Sequence, residues 1–80
     1  MNIKVRVFAS LKDYFAPELT LDVPPDSQAQ AVLLGLEEMN PVCRDLLRSC
    51  RLAVNEDFIT GEHPLRENEE VAVLPPSSGG

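Results

Sequence analysis

The 80-residue sequence has few of the groups from which proteins build active sites and metal centres. It contains one histidine and two cysteines. His63 lies in "GEHPL", a turn-like segment before a proline, where we expect a surface or structural histidine rather than a general base. A single histidine without a CxxC pair predicts no metal site. No glycine-rich phosphate loop precedes a helix. We therefore expect no catalysis by this chain alone and no cofactor bound to it.

The two cysteines are not expected to form a disulfide. Cys43 and Cys50 are seven positions apart. If both lie on one helix, they are separated by ~10 Å of helical rise, which exceeds the Cα separation that a disulfide spans. We expect both thiols to be packing groups.

Basic residues are also scarce. Seven Lys and Arg face thirteen Asp and Glu, for a formal net charge of -6. Nucleic acid is therefore not an expected partner, because neutralising phosphates requires clustered Lys and Arg. An acidic surface suits a basic protein partner, although the charge could equally serve solubility alone.

Long apolar runs are missing as well. No segment approaches the roughly 18 apolar residues of a membrane span. The first residues, "MNIKVRVF", lack the apolar region of a signal peptide. We expect a cytoplasmic protein that makes no membrane contact.

Two segments near the start alternate between apolar and other residues, as half-buried strands do. Residues 2–8 place Ile3, Val5 and Val7 on one face, with Lys4 and Arg6 on the other. Residues 18–23 alternate in the same way and end at a proline pair. The two segments predict a hairpin, with a helical turn in the "SLKDYF" connection.

The next segment changes to a helical period. Its predicted core positions are Ala29, Val32, Leu33, Leu36 and Met39. Ser27 and Gln30 have the spacing of a capping box. Asn40 and Pro41 end this helix and can begin a second one. The second helix is predicted to face inward with Val42, Leu46 and Leu47.

Three short strands are predicted at residues 52–54, 58–60 and 71–74, because turn-forming residues separate these apolar runs. The element order indicates an α+β fold with a mixed sheet packed on one main helix. If the last strand lies parallel to the first, the fold is a ubiquitin-like β-grasp. We predict one domain over residues 1–74 and a flexible tail over residues 75–80.

The tail, "PPSSGG", combines a stiff beginning with a slim end. Pro75 and Pro76 favour an extended conformation and prevent further sheet pairing. Six extended residues span ~20 Å. Gly79 and Gly80 have no side chain, so they can enter a narrow channel. The group at the tip would be the carboxylate of Gly80.

An apolar patch is predicted where the tail begins. Phe8 lies on the side of Lys4 and Arg6, and Leu74 shares a face with Ala72. If these faces are the same, the patch is a docking surface. The alternative is that the "SLKDYF" loop covers Phe8.

The first and last thirds of the sequence resemble the small subunit of molybdopterin synthase, a sulfur-carrier family with a ubiquitin-like fold. The matching segments are "IKVRVFASLKDYF" and "LAVNEDFITGEHPLRENEEVAVLPPSSGG". The most specific part is the closing "EEVAVLPPSSGG". Residues 16–50 are compatible in pattern only.

The resemblance implies a function for the tail. A ubiquitin-activating-type enzyme would adenylate Gly80 with ATP, and a sulfur donor would convert it to a thiocarboxylate. The tail would then enter the large subunit of a heterotetrameric synthase, where sulfur passes to a cyclic pyranopterin. The implied partner-binding residues are Gly79, Ser78, Ser77, Pro76, Pro75, Leu74 and Phe8.

Three other functions remain open from the sequence. A sulfur carrier for another pathway, such as thiazole formation, would share the terminal Gly-Gly. A ubiquitin-like modifier would be conjugated to lysines through Gly80. A β-grasp binding module would have a tail without function.

Overall fold

The computed structural model describes residues 1–76, which form a five-stranded mixed sheet with two helices against one face. The strands are β1 (Asn2–Val7), β2 (Glu18–Asp22), β3 (Arg51–Val54), β4 (Asp57–Ile59) and β5 (Glu70–Leu74). The main helix is α1 (Gln30–Met39), and the shorter α2 spans Arg44–Arg48. Short 3-10 helices span Ala9–Asp13 and Pro41–Cys43.

The strand order is β2-β1-β5-β3-β4. Consecutive strands pair as antiparallel hairpins, β1 with β2 and β3 with β4. The first and last strands lie parallel in the centre, with Val7 opposite Val73. This arrangement confirms the predicted α+β class and the ubiquitin-like β-grasp.

The core lies between α1 and the sheet, as the alternating sequence predicts. Ile3, Val5 and Val7 of β1 are at most 2% exposed. Val71 and Val73 of β5 are fully buried beside them, because a strand sends every second side chain to the same face. Helix α1 covers this layer and buries its own Val32 and Leu36. On the opposite face of the sheet, residues 1–76 place no helix, and the side chains there face solvent.

Helix α1 begins differently from the prediction. The N-cap residue is Ala29, without a side-chain cap, so the predicted capping box is wrong. The Ser27 hydroxyl instead donates to the carbonyl oxygen of Pro24 at 2.6 Å. That bond uses the hydroxyl in the turn after β2, because serine side chains compete for local backbone groups.

The segment after α1 also corrects the sequence prediction. Val42 is 80% exposed and Met39 is 56% exposed, so neither belongs to the core. The chain turns through a 3-10 helix at Pro41–Cys43 and then starts α2, which shifts the helical phase so that Cys43 and Leu47 face inward. Cys43 and Cys50 do not share a helix, since α2 ends at Arg48, and both cysteines are free.

A two-residue turn joins β3 and β4, with Val54 paired to Asp57. Both central residues have positive φ, 50° at Asn55 and 70° at Glu56, as in a type I′ turn. Asn tolerates this conformation, but Glu does not favour it and is disfavoured by roughly 1–2 kcal/mol. Glu56 therefore holds a position at which glycine would be less strained.

Helix α1 approaches β2 closely at Gly35, where a Cβ atom would lie 3.1 Å from Cδ1 of Leu21. We expect Gly35→Val to destabilise the fold by about 1–3 kcal/mol, the usual effect of overpacking. Urea unfolding measures the change. Glu38→Val is the control, because Glu38 is exposed on the same helix. Its effect on stability should come only from the helix propensity of valine and not from packing. Equal effects at the two positions would contradict close packing at Gly35.

Within residues 1–76, neither helix is long and apolar enough to cross a membrane.

Candidate functional site

The chain leaves the sheet at the end of β5. Leu74 is the last strand residue, and Pro75 and Pro76 follow it without further pairing to a strand of the described sheet. Ser77, Ser78, Gly79 and Gly80 lie outside the described residues, so their predicted roles stay predictions. The partner-binding roles of Phe8, Leu74, Pro75 and Pro76 stay predictions as well.

A depression of about 680 Å³ lies on the solvent face of the sheet, next to this exit. We call it the outer-face depression. Its apolar lining is Phe8, Ala53, Phe58, Ala72 and Leu74. Its polar lining is Arg6, Asn55, Glu56 and Glu70.

The register of the sheet brings Phe8 and Leu74 to the same edge. Val7 is opposite Val73 in the parallel β1–β5 pair, and Phe8 and Leu74 follow these two residues. Both side chains are partly exposed and line the outer-face depression. The 3-10 helix at Ala9–Asp13 therefore does not bury Phe8.

The middle of the depression is formed by small side chains. Ala53 of β3 lies directly opposite Ala72 of β5, and Ala72 is also paired with Arg6 of β1. Directly opposed residues have Cβ atoms only ~4.5–5.5 Å apart. Two methyl groups there leave space between the larger walls of Phe8, Phe58 and Leu74.

Phe58 is a lining residue that the sequence prediction missed. Its ring is 58% exposed, although it belongs to β4. The guanidinium carbon of Arg51 lies 3.6 Å from the ring centroid, which is a close cation–π contact. The available signal was alternation, because Phe58 must face away from Ile59, which packs on the core.

Arg6 lies between two carboxylates on this face. Its Nε atom is 3.4 Å from Oε1 of Glu18 and 3.5 Å from Oε1 of Glu70, and it thereby connects β2, β1 and β5. All three side chains are at least half exposed, so the two pairs add little to stability. Glu56 has no ion pair within residues 1–76, in contrast to Glu18 and Glu70.

The histidine and the two cysteines do not line the outer-face depression. Nε2 of His63 is 3.5 Å from Oε2 of Glu69 and has no hydrogen-bond partner in the described chain. In residues 1–76 no three His, Cys, Asp or Glu side chains form a metal-binding group. The ionisable residues that line the outer-face depression are Arg6, Glu56 and Glu70.

Burial raises the pKa of both thiols. Desolvation raises the pKa of Cys43 above its ordinary value. The pKa of Cys50 is raised mainly by desolvation and to a smaller extent by the charge of Cys43. Sγ of Cys50 also donates to the carbonyl oxygen of Leu46 at 3.2 Å. The thiolate is the reactive form of cysteine, so the raised pKa values make both thiols less reactive at a given pH.

We expect iodoacetamide to alkylate both thiols of the native protein more slowly than free cysteine at pH 8, because burial raises their pKa and so lowers the fraction of reactive thiolate. Intact-mass kinetics measure the rates, and the urea-unfolded chain is the control. Alkylation of the native protein as fast as that of free cysteine would contradict the raised pKa values.

The same pKa shifts make stability depend on pH. Because the pKa of both thiols is higher in the folded than in the unfolded chain, their contribution to stability is fully present below the ordinary pKa of 9.0. This contribution is lost as the pH rises through the folded-state pKa.

Comparison with known proteins gives matches along the whole chain. The sequence profile of the ThiS family matches residues 5–80. The chain is 33% identical over 81 residues to the molybdopterin synthase sulfur carrier subunit of Arabidopsis thaliana. This alignment covers 100% of the chain and 84% of the plant protein.

Two solved structures have similar folds. Small archaeal modifier protein 1 from Methanosarcina acetivorans gives a TM-score of 0.83 at 26% identity, covering 99% of this chain and 96% of that one. A chain from the complex of subunits 1 and 2 of molybdopterin-converting factor from Helicobacter pylori 26695 gives a TM-score of 0.70 at 21% identity, covering 100% of both chains.

Proposed function

The chain belongs to the ThiS family, and we propose that it acts as the sulfur-carrier subunit of a molybdopterin synthase. The observation that carries this proposal is the 33% identity to the Arabidopsis subunit, which extends over 100% of the chain. The geometry supports it, because the last described residues leave the sheet beside an apolar depression. A carrier needs both a contact surface and a reactive end.

The reactive group in this proposal is the carboxylate of Gly80. A carboxylate is a poor electrophile, so an adenylating enzyme first joins it to AMP from ATP, with release of pyrophosphate. A sulfide-level sulfur nucleophile then displaces AMP and leaves a thiocarboxylate. The thiocarboxylate then passes its sulfur to a cyclic pyranopterin precursor of the molybdenum cofactor, and water replaces the sulfur on the Gly80 carbonyl carbon, so that the carboxylate is restored. This chain supplies the reactive end, and its partners supply the catalytic groups.

The large subunit of the synthase is the proposed partner of the outer-face depression. The depression presents two aromatic rings and Leu74 to solvent, whereas the rest of this sheet face carries charged and polar side chains. Exposed apolar patches with a polar rim are typical of protein interaction sites. The Helicobacter pylori complex of the two subunits supports such a pairing for a protein of this fold.

Intact mass spectrometry tests the proposed chemistry. The full chain is incubated with ATP, a ubiquitin-activating-type enzyme and a sulfide source. We expect a mass gain equal to the replacement of one oxygen by sulfur, and no gain without ATP. An unchanged mass under conditions in which the enzyme thiolates another carrier would contradict the proposal.

A protein modifier is the second candidate function. It is favoured by the similarity to small archaeal modifier protein 1, at 26% identity and a TM-score of 0.83. A modifier would form an amide between Gly80 and a lysine of another protein. Mass spectrometry distinguishes the two functions when cell extract is added to the incubation. A modifier then yields high-mass conjugates, whereas a carrier yields only the thiocarboxylate.

A further inference from the structure

We propose that the outer-face depression selects a pair of side chains on the large subunit, one basic and one apolar. In this arrangement Glu56 contacts the basic side chain, and the space above Ala53 and Ala72 receives the apolar one. The inference rests on the proposed function, since it specifies the chemistry of that partner. It makes Glu56, Ala53 and Ala72 residues that determine specificity.

The backbone conformation of Glu56 is the first observation. Its φ of 70° is one that glycine adopts freely and glutamate disfavours. Within residues 1–76 its side chain makes no hydrogen bond and no ion pair that would offset this strain. Non-glycine residues in such conformations cluster at binding sites and active sites. Ala9, Asp26, Asn55 and Asn68 also have positive φ, so it is the combination of this strain with an unpartnered carboxylate beside the depression that favours a use for Glu56 outside the fold.

The charges around the depression are the second observation. The carboxylates of Glu18 and Glu70 lie 3.4 and 3.5 Å from the Nε atom of Arg6. The guanidinium group of Arg51 lies over the ring of Phe58. Glu56 is thus the lining carboxylate that has no cation within residues 1–76. A basic side chain on the partner complements it, and the chain's net charge of -6 favours approach of such a partner.

The alanine pair is the third observation. Ala53 is 9% exposed and faces Ala72 across the β3–β5 pair. The rings of Phe8 and Phe58 and the side chain of Leu74 line the space around them. An apolar side chain entering this space would contact methyl groups and rings on several sides. Well-packed central pockets of this kind carry most of the binding energy in protein interfaces.

Glu56→Gly separates a binding role from a purely structural one. We expect its melting temperature to rise by about 2–6 °C, because glycine relieves the strain. We expect its affinity for the purified large subunit, measured by titration calorimetry, to fall about 3- to 30-fold, with a weaker dependence on salt. Glu56→Asn, which is neutral and tolerates positive φ, should show the same loss. Glu38→Gln, on the helix side, is the matched charge control.

Ala72→Leu tests the space above the alanines. Its longer side chain should fill this space and weaken binding at least about tenfold, while the melting temperature stays close to that of the wild type because Ala72 is partly exposed and lies outside the core. Thr20→Leu on the same face, outside the depression, is the control and should bind normally.

The outcomes distinguish this inference from the proposed function. If the wild-type chain binds the large subunit and the Glu56 and Ala72 variants bind equally well, the inference is wrong and the proposed function stands. If Glu56→Gly has a higher melting temperature and unchanged affinity, Glu56 is only a strained turn residue with no role in binding, and the inference is wrong. If the wild-type chain does not bind, both the inference and the proposed function are contradicted.

Discussion

Deletion of Gly80 is expected to lower thiocarboxylate formation by at least about 100-fold. The shortened chain still ends in a glycine carboxylate, but that group lies about 3.5 Å short of its place when the tail is extended. Misplacement of a reacting group by about 1 Å can already lower a rate about 100-fold. The measurement is the intact mass of the chain after incubation with ATP, the adenylating enzyme and sulfide.

The fold should not respond to this deletion. The strand pairs and core residues of the described chain all precede Pro75, so we expect an unchanged melting temperature. Ser77→Ala is the matched control, because it alters the tail but keeps its length and its terminal carboxylate. Normal thiocarboxylate formation by the deleted chain, or normal molybdoenzyme activity in cells that carry it, would show that Gly80 is not the reacting residue.

Phe8→Asp and Leu74→Asp are each expected to weaken binding to the large subunit about 30- to 1000-fold. Each change places a carboxylate in an apolar contact surface, and residues at the centre of interfaces contribute about 2–4 kcal/mol. Phe58→Asp should have a similar effect, because its exposed ring lines the same depression. Titration calorimetry with the purified large subunit measures the three affinities.

Thr20→Asp is the control for these variants. Thr20 lies on β2, on the same solvent face but outside the depression. It introduces the same charge, so its affinity should remain close to that of the wild-type chain. If all four variants lose affinity equally, the effect is one of net charge. If Phe8→Asp and Leu74→Asp bind normally, the large subunit does not use the outer-face depression.

The proposed division between a contact surface and a reactive end fits the size of the chain. A domain of this length buries only about 60–65% of the surface of its unfolded chain. The sheet and α1 use the buried apolar side chains for one core, and the solvent face of the sheet remains for a partner. In the proposed function the reacting group is the carboxylate of Gly80, for which no cavity within the domain is needed.

The local pattern of the sequence determined most of the fold. Alternation in residues 2–8 and 18–23 predicted β1 and β2, and the helical period of Val32 and Leu36 predicted α1. These signals are strong because one face of each element is buried, so the apolar period repeats the period of the backbone. The β-grasp followed from the element order together with one assumption, the parallel pairing of the first and last strands.

Short elements were predicted less well, because a shift of two positions in where such an element begins changes which of its side chains face the core. The 3-10 helix at Pro41–Cys43 rotated Val42 to solvent and Cys43 to the core. The hydroxyl of Ser27 donates to the carbonyl oxygen of Pro24 in a turn and does not cap the helix. Such choices depend on competing local hydrogen bonds and on the space left by the core, neither of which is a periodic property.

The candidate site divides in the same way. The terminal Gly-Gly and the proline pair could be recognised from the sequence. The small size of glycine and the restricted backbone of proline are properties of the residues themselves. The outer-face depression required the tertiary structure, because strand register alone decides which distant residues become neighbours. Only the pairing of β5 with β1 and β3 brings Phe8, Ala53, Ala72 and Leu74 together. Only the turn after β3 places the strained Glu56 beside them.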